Sequence, residues 1–512
     1  MVHRASDQNL KVQGATLTML HRRSFLFCLL TLTAILFSVL WPSHTRSTSL
    51  LRRITNSPEV ELSLNPTISG DGQHLVFEST LDLAGTGGSH RFRALRGHLS
   101  AEPPAFDQIA FTRAVAPAIS QDGSRIAFAS TEDLVGRNAD HNSEIFLYDG
   151  STLGQLTNTT ASDITKRLLD GNLQPSISDD GRVVAFSSNR NLVGLNADLN
   201  SEIFLFDVNT NRFTQLTSSQ TDGATNARIS GDGSHVAYLR DEGKPPVNGR
   251  DLILYNRITD STITITGNAA ALALTYGRAI SDDGLRVVYS AETAENQSQV
   301  FLFDAMFNSI RQITALGTRA DDVPLNPTIS GDGKRIAFAT RRSVIGGNSD
   351  RSVELYLYDI PTAKFWKLTD APTGATAEVV SSLNDDGSIV VFNFPRVLSG
   401  PVSAGEFANN SEIYVVGVAA RPLFGEIQVM NGASFGREPA TSRAVAPNSI
   451  AVVRGEALAS AALQAKPLSD GSFPHSLAGT IVTVNGRETQ VLYVSPDQIN
   501  FVVPPETEAG LA

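Results

Sequence analysis

Three loops in this chain carry oxygen-bearing side chains at every second position. They read Asn138-x-Asp140-x-Asn142-x-Glu144, Asn196-x-Asp198-x-Asn200-x-Glu202 and Asn348-x-Asp350-x-Ser352-x-Glu354. Carboxylates and carboxamides in such density suit a hard cation, calcium above all. The loops lack the glycine at the sixth place that the helix–loop–helix calcium loop requires. The competing reading is that Asn, Asp and Ser close turns on their own backbone. On that reading each Glu opens a strand and points elsewhere. Calcium is therefore the one ion these loops bring into question, and no organic cofactor is expected.

Other candidates are thinner. Gly432-Ala433-Ser434-Phe435-Gly436 has the spacing of a nucleophile elbow. That motif works only on a strand-to-helix turn inside a large α/β domain. About 90 residues follow the repeats described below, too few for such a sheet and its helices. Histidines such as His74, His90, His98, His141, His235 and His475 are scattered, and no pair has metal-ligand spacing. His90, Arg91, Arg93, Arg96 and His98 make one basic stretch in an acidic chain. It would meet an acidic partner or a polysaccharide, or be a solvated loop.

The elements that must position these residues come from a repeat. Its fullest copy runs from Gln174-Pro175-Ser176-Ile177-Ser178-Asp179-Asp180-Gly181, through Val183-Val184-Ala185-Phe186 and Glu202-Ile203-Phe204-Leu205-Phe206-Asp207, to Gln215-Leu216-Thr217. The anchoring Asp-Gly pair appears seven times, at Asp71, Asp122, Asp180, Asp232, Asp283, Asp332 and Asp386, in steps of 51, 58, 52, 51, 49 and 54. Asp-Gly between alternating apolar runs makes a tight turn, because Gly accepts positive φ and Asp tolerates it. The seven aspartates of these turns are accordingly structural. Each unit reads as four short strands rich in strand formers, which is one propeller blade. Residues 50–418 are thus expected to form a seven-bladed β-propeller. Leu51-Arg52-Arg53-Ile54-Thr55 has no first strand of its own, and blade seven lacks its Gln-Leu-Thr. The N-terminal segment is therefore expected to supply the missing fourth strand and close the ring.

The phrases Pro-x-Ile-Ser-x-Asp-Gly-x-x-Ile-Ala-Phe, Ser-Glu-Ile-Phe-Leu-Tyr-Asp and Gln-Leu-Thr resemble the TolB-type (WD40-like) β-propeller family. The resemblance covers roughly residues 50–418. It implies a propeller that acts in protein assemblies of the cell envelope.

The remainder of the chain fits an exported protein. His21-Arg22-Arg23 precedes the 17-residue apolar run Phe25–Trp41. Residues 1–48 therefore read as an export signal or a membrane anchor, the only membrane contact expected. The sole cysteine, Cys28, lies in that run, so no disulfide is expected in the exported part. A net charge of −11 offers no footprint for nucleic acid. Residues 424–512 read as a small Ig-like β-sandwich, with strands near 449–453, 480–484, 491–494 and 499–503 and a hairpin at Asn485-Gly486. The phrases Asn431-Gly432-Ala433-Ser434-Phe435 and Ser495-Pro496-Asp497-Gln498-Ile499-Asn500-Phe501 resemble a C-terminal domain of large exported proteins of soil acidobacteria. A further strand is expected after Pro505, so the domain reads as incomplete.

The expected fold class is all-β throughout. The expected function is a non-catalytic envelope scaffold, periplasmic or at the cell surface, whose protein partner docks on one propeller face or at the axial mouth. The loops Asn138–Asn142, Asn196–Asn200 and Asn348–Ser352 share the face of the blade-to-blade connections and are the candidate surface. The alternative is polysaccharide binding, or a propeller-based polysaccharide lyase or glycosidase. That would require two close carboxylates, or a His/Arg/Tyr cluster, at the axis. Loop residues such as Arg190, Arg341 and Arg342 are within conceivable reach of it.

Overall fold

The computed structural model describes residues 51–507. Within them it leaves out residues 58–60, 89, 102, 115, 161–170, 221–222, 242–248, 318–322, 346–347, 372–377, 396–397, 399–409, 419–427, 433–445, 455–457, 460–461, 479, 485–486 and 496–497. The apolar run 25–41, Cys28 and Ala433–Gly436 of the elbow phrase lie outside the described residues.

Each Asp-Gly pair turns the chain from a first strand into a second. In all seven the glycine has a φ between 64° and 72°, a left-handed conformation that a side chain would strain. Its N–H donates to the carbonyl three residues back, as in Gly181 to Ser178 and Gly387 to Asn384. In six blades the aspartate accepts the serine hydroxyl two residues earlier, as Asp71 does from Ser69 at 2.6 Å and Asp332 from Ser330 at 2.7 Å; in blade seven Asp386 accepts instead from Asn384 Nδ2 at 2.8 Å. The turn aspartates are therefore spent on local hydrogen bonds.

Seven antiparallel sheets follow. Blade three is Asn172–Ile177, Val183–Ser188, Glu202–Asp207 and Arg212–Gln215, hydrogen-bonded in that order. In blade five the first strand is reduced to the bridges Ala273–Ser290 and Ile280–Val287. Second and third strands are buried on both faces, so they read as continuous apolar runs. Fourth strands lie open, as in Ser309–Gln312. Aromatic rings facing each other across the second and third strands stack in five blades, for example Phe186 on Phe204 at 6.0 Å and Phe392 on Tyr414 at 5.6 Å. Such pairs contribute about 0.5–1.5 kcal/mol beyond their burial. The cores lie between blades: Val76 of blade one packs with Ile126, Phe128 and Phe146 of blade two.

Closure occurs as the sequence predicts. Leu51–Arg53 pairs antiparallel with Glu412–Gly417, as the fourth strand of blade seven. At the axis, backbone hydrogen bonds run blade to blade round the full circle. Asp71 N–H donates to Gln121 O, Gln121 to Asp179, Asp179 to Gly231, Asp232 to Asp282, Asp282 to Gly331, Asp332 to Asp385, and Asp385 to Gly70, all at 2.7–2.9 Å. Seven blades and seven bonds make a closed propeller.

The basic stretch departs from its expectation as a loop. Arg93–His98 is the third strand of blade one. Arg93 is fully buried beside Asp82 at 2.5 Å, and Arg96 and His98 both hold Asp107 at 2.8 Å. These cations are paired within the blade, so they do not form a free basic surface.

Beyond the propeller, Gln428–Asn431, Ile450–Arg454, Gln498–Val502, Val491–Ser495 and Leu463–Gln464 form one five-stranded antiparallel sheet. Two short ribbons, Ser476–Leu477 with Thr480–Ile481 and Thr483–Val484 with Arg487–Glu488, accompany it. Leu477, Val482 and Val484 join Val453, Val491 and Phe501 in a single core. Among the described residues no helix is long and apolar enough to cross a membrane.

Candidate functional site

The residue before each turn aspartate sits on the axis. Round the ring these residues are Gly70, Gln121, Asp179, Gly231, Asp282, Gly331 and Asp385. Three carboxylates alternate with three glycines, and the glycines make the room. A Cβ at Gly231 would lie 2.1 Å from Asp179 Oδ2 and 2.6 Å from Asp282 Oδ1. At Gly331 it would lie 2.1 Å from Asp282 Oδ2, and at Gly70 2.3 Å from Asp385 Oδ2. Carboxylate oxygens of Asp179, Asp282 and Asp385 come within 4.8 Å of one another.

Arg278 neutralises part of this charge. It occupies the first-strand place where other blades have Pro66, Pro117, Pro175 and Pro327. Its Nη1 lies 2.6 Å from Asp282 and 2.7 Å from Asp385, and its Nη2 3.8 Å from Asp179. Burial pushes the Asp282 carboxyl up to about 7; Arg278 opposes this, while Asp179 and Asp385 add to it. Burial raises Asp179 as well, again against Arg278. Two interacting groups of this kind titrate together.

A cavity lies alongside the cluster, lined by Asp179, Arg228, Gly231, Tyr276 and Arg278 together with Ile68, Ile119, Ile177, Ile229 and Ile280 of the first strands. Arg228 stands where other blades have Thr67, Ala118, Ser176 and Thr328. It is 2% exposed. Its Nε donates to Thr275 O at 2.7 Å and its Nη1 to Ala227 O at 2.7 Å and Gln174 O at 3.4 Å. The guanidinium lies over the Tyr276 ring at 5.8 Å. Burial lowers its pKa to about 10, which leaves it charged at neutral pH. The cavity is thus polarised: one arginine saturated by acids, the other resting on neutral carbonyls.

The three sequence-predicted loops lie elsewhere, between second and third strands. Asn138 Nδ2 donates to Asn142 O at 2.9 Å, Asn196 Nδ2 to Asn200 O at 3.0 Å, and Asn348 Nδ2 to Ser352 O at 2.9 Å. The first Asn of each loop therefore spans the loop. Asn142 and Asn200 tie it to the residues after the fourth strand, at Thr159 and Ser219. Asp140, Asp198 and Asp350 sit between these anchors. The oxygens of Asn138, Asn142 and Asn196 are buried without a hydrogen-bond partner among the described residues. Each following Glu points to the fourth-strand end. Glu354 accepts from Thr369 Oγ1 at 2.5 Å and from Ala371 N at 3.0 Å, while Glu144 and Glu202 accept from Thr157 and Thr159, and from Thr217 and Ser219. Glu412 does the same across the closure, with Thr55 and Ser57. Arg341 and Arg342 bond loop carbonyls, and neither they nor Arg190 line the axial cavity.

No protein-family model matches the chain, and no curated protein does. Solved structures similar to it include TolB from Acinetobacter baumannii, at 18% identity and TM-score 0.38 over 58% of this chain. That alignment spans 63% of the TolB chain. Oligogalacturonate lyase from Vibrio parahaemolyticus is similar at 14% identity and TM-score 0.47, over 73% of this chain and 95% of that one. The β-propeller domain of the Trilobed protease from Pyrococcus furiosus is similar at 13% identity and TM-score 0.41, over 65% and 91%. Likeness at this level carries no inference about activity, and the fold rests on the seven closed sheets. The acidobacterial resemblance of the C-terminal domain gains no support from these comparisons.

Proposed function

We propose that the chain is an exported cell-envelope protein that uses its propeller as a non-catalytic binding module, with the axial cavity as the place of binding. One observation carries this. Charged departures from the repeat, Arg228 and Arg278 near the first strands and Asp179, Asp282 and Asp385 beside the turns, collect at the axis in blades three, four, five and seven, where other blades have Pro, Gly, Gln or small residues. Buried charge costs stability, and its concentration beside a cavity marks a functional site. The export reading rests on His21-Arg22-Arg23 and the apolar run after them. Cation binding at the Asn/Asp loops belongs to the same proposal, with calcium as the ion. The test is affinity capture from an envelope extract with residues 48–512 as bait, with calcium and with chelator. A recurrent protein partner lost in the Arg228→Gln variant is the expected result. Capture that ignores that variant would move the site off the axis.

A second reading has its own support. Three carboxylates converge at the axis and one is pushed up to about 7, as general acid–base chemistry requires. That favours a polysaccharide lyase or glycosidase. Release of unsaturated or reducing ends from uronate polysaccharides, lost in Asp282→Asn, would establish it over the scaffold.

A further inference from the structure

We propose that the axial cavity selects a small carboxylic acid that also carries a hydrogen-bond donor, with Arg228 and Tyr276 holding the carboxylate. The inference rests on the axial binding site proposed above and adds the ligand's chemistry.

The argument starts from donors left over. Three carbonyls take the Nε and Nη1 protons of Arg228, and its Nη2 has no acceptor among the described residues. No carboxylate among the described residues pairs with it. Tyr276, half exposed and beside it on the cavity wall, makes no hydrogen bond through its hydroxyl among those residues. A guanidinium N–H and a phenol O–H are two donors, the number that the two oxygens of a carboxylate accept. A buried cation that rests only on carbonyls is costly, and an incoming anion removes the cost.

Asp179 lines the same cavity, and Arg278 and the three aspartates form the cluster beside it. An anion without a donor would meet repulsion there. A ligand that turns hydroxyl or ammonium donors toward Asp179 satisfies both ends. The aliphatic remainder of the wall, Ile119, Ile177 and Ile229, suits a short carbon skeleton.

Titration calorimetry of the full chain with four probes separates these demands. D-Gluconate has a carboxylate with hydroxyls, L-serine a carboxylate with an ammonium and a hydroxyl, succinate carboxylates alone and glucose hydroxyls alone. Gluconate or serine should bind more tightly than succinate and glucose, and tighter binding of serine than of gluconate would show that an ammonium adds to the hydroxyl donors. Tyr276→Phe, at a half-exposed residue, should fold normally and weaken the winner about fivefold, the loss of one hydrogen bond. Arg228→Gln should abolish binding. No binding by gluconate or serine, equal binding by succinate or glucose, or binding indifferent to both variants would overturn the proposal. NMR of the incubated ligand separates the two readings. A bound ligand that is consumed would end the non-catalytic reading and leave the carboxylate assignment standing.

Discussion

At the scale of single residues, the carboxylate that opens the third strand in blades two, three, six and seven is the clearest case of chemistry used for structure. Glu354 is buried and bonded to Thr369 and Ala371, and burial pushes its carboxyl up to about 7. Blade five does the same work with a neutral group: Gln299 Oε1 accepts from Thr314 Oγ1 and Leu316 N, and its Nε2 donates to Leu316 O. Glu354→Gln is therefore expected to fold with near-native stability. Glu354→Leu leaves buried donors unsatisfied and should cost about 1–3 kcal/mol for each one; chemical denaturation of the two variants measures the difference. The raised carboxyls also set a pH dependence. Glu78, Asp282 and Glu354 each lie near 7, above their unfolded values. The folded state then binds more protons than the unfolded chain between about pH 4 and 7, so stability falls as pH rises through that window. Melting temperature should drop from pH 5 to pH 8, and Asp282→Asn should flatten the slope.

At the scale of elements, each blade stands on its turn and its first strand. Gly331→Ala puts a methyl group against Arg278 Nη1 and Asp282 Oδ2, both at 2.1 Å. It should cost about 1–3 kcal/mol, as overpacking does, whereas alanine at Gly85, which meets nothing within 4 Å, keeps only the strain of its positive φ. Thermal melts of the two separate crowding from backbone strain. This level also shows what was legible beforehand. Asp-Gly spacing announces the blades, and the orphan segment Leu51–Thr55 announces the closing strand, because both are local patterns repeated in register. The axial cluster escapes that reading: Arg228 differs from Thr67 or Ser176 by one letter, and Asp179 looks like part of the turn beside it. Only the ring brings residues more than a hundred positions apart, such as Arg278 and Asp385, to 2.7 Å. At the Asn/Asp loops the spacing alone does not choose, since carboxamides that span a loop and carboxamides that hold a cation have the same spacing.

At the scale of the whole molecule, closure is one act shared by two ends of the propeller. Thr55 and Ser57 bond Glu412, and Ile54 N–H donates to Ile413 O at 2.7 Å. A chain beginning after residue 57 would leave Glu412–Gly417 as an open edge. It should melt in a broadened transition and associate, which calorimetry and size-exclusion chromatography would record; an unchanged melt would mean that the ring does not depend on this strand. The axial ring has one more property, and it is a matter of parity. Places that alternate between bulky and empty can do so all the way round only if their number is even. Seven is odd, so one neighbouring pair must break the rule, and here it is Gln121 beside Asp179. Carboxylate and glycine therefore alternate unbroken only from Asp179 round to Gly70, and Gln121 is the place where the odd number of blades is absorbed.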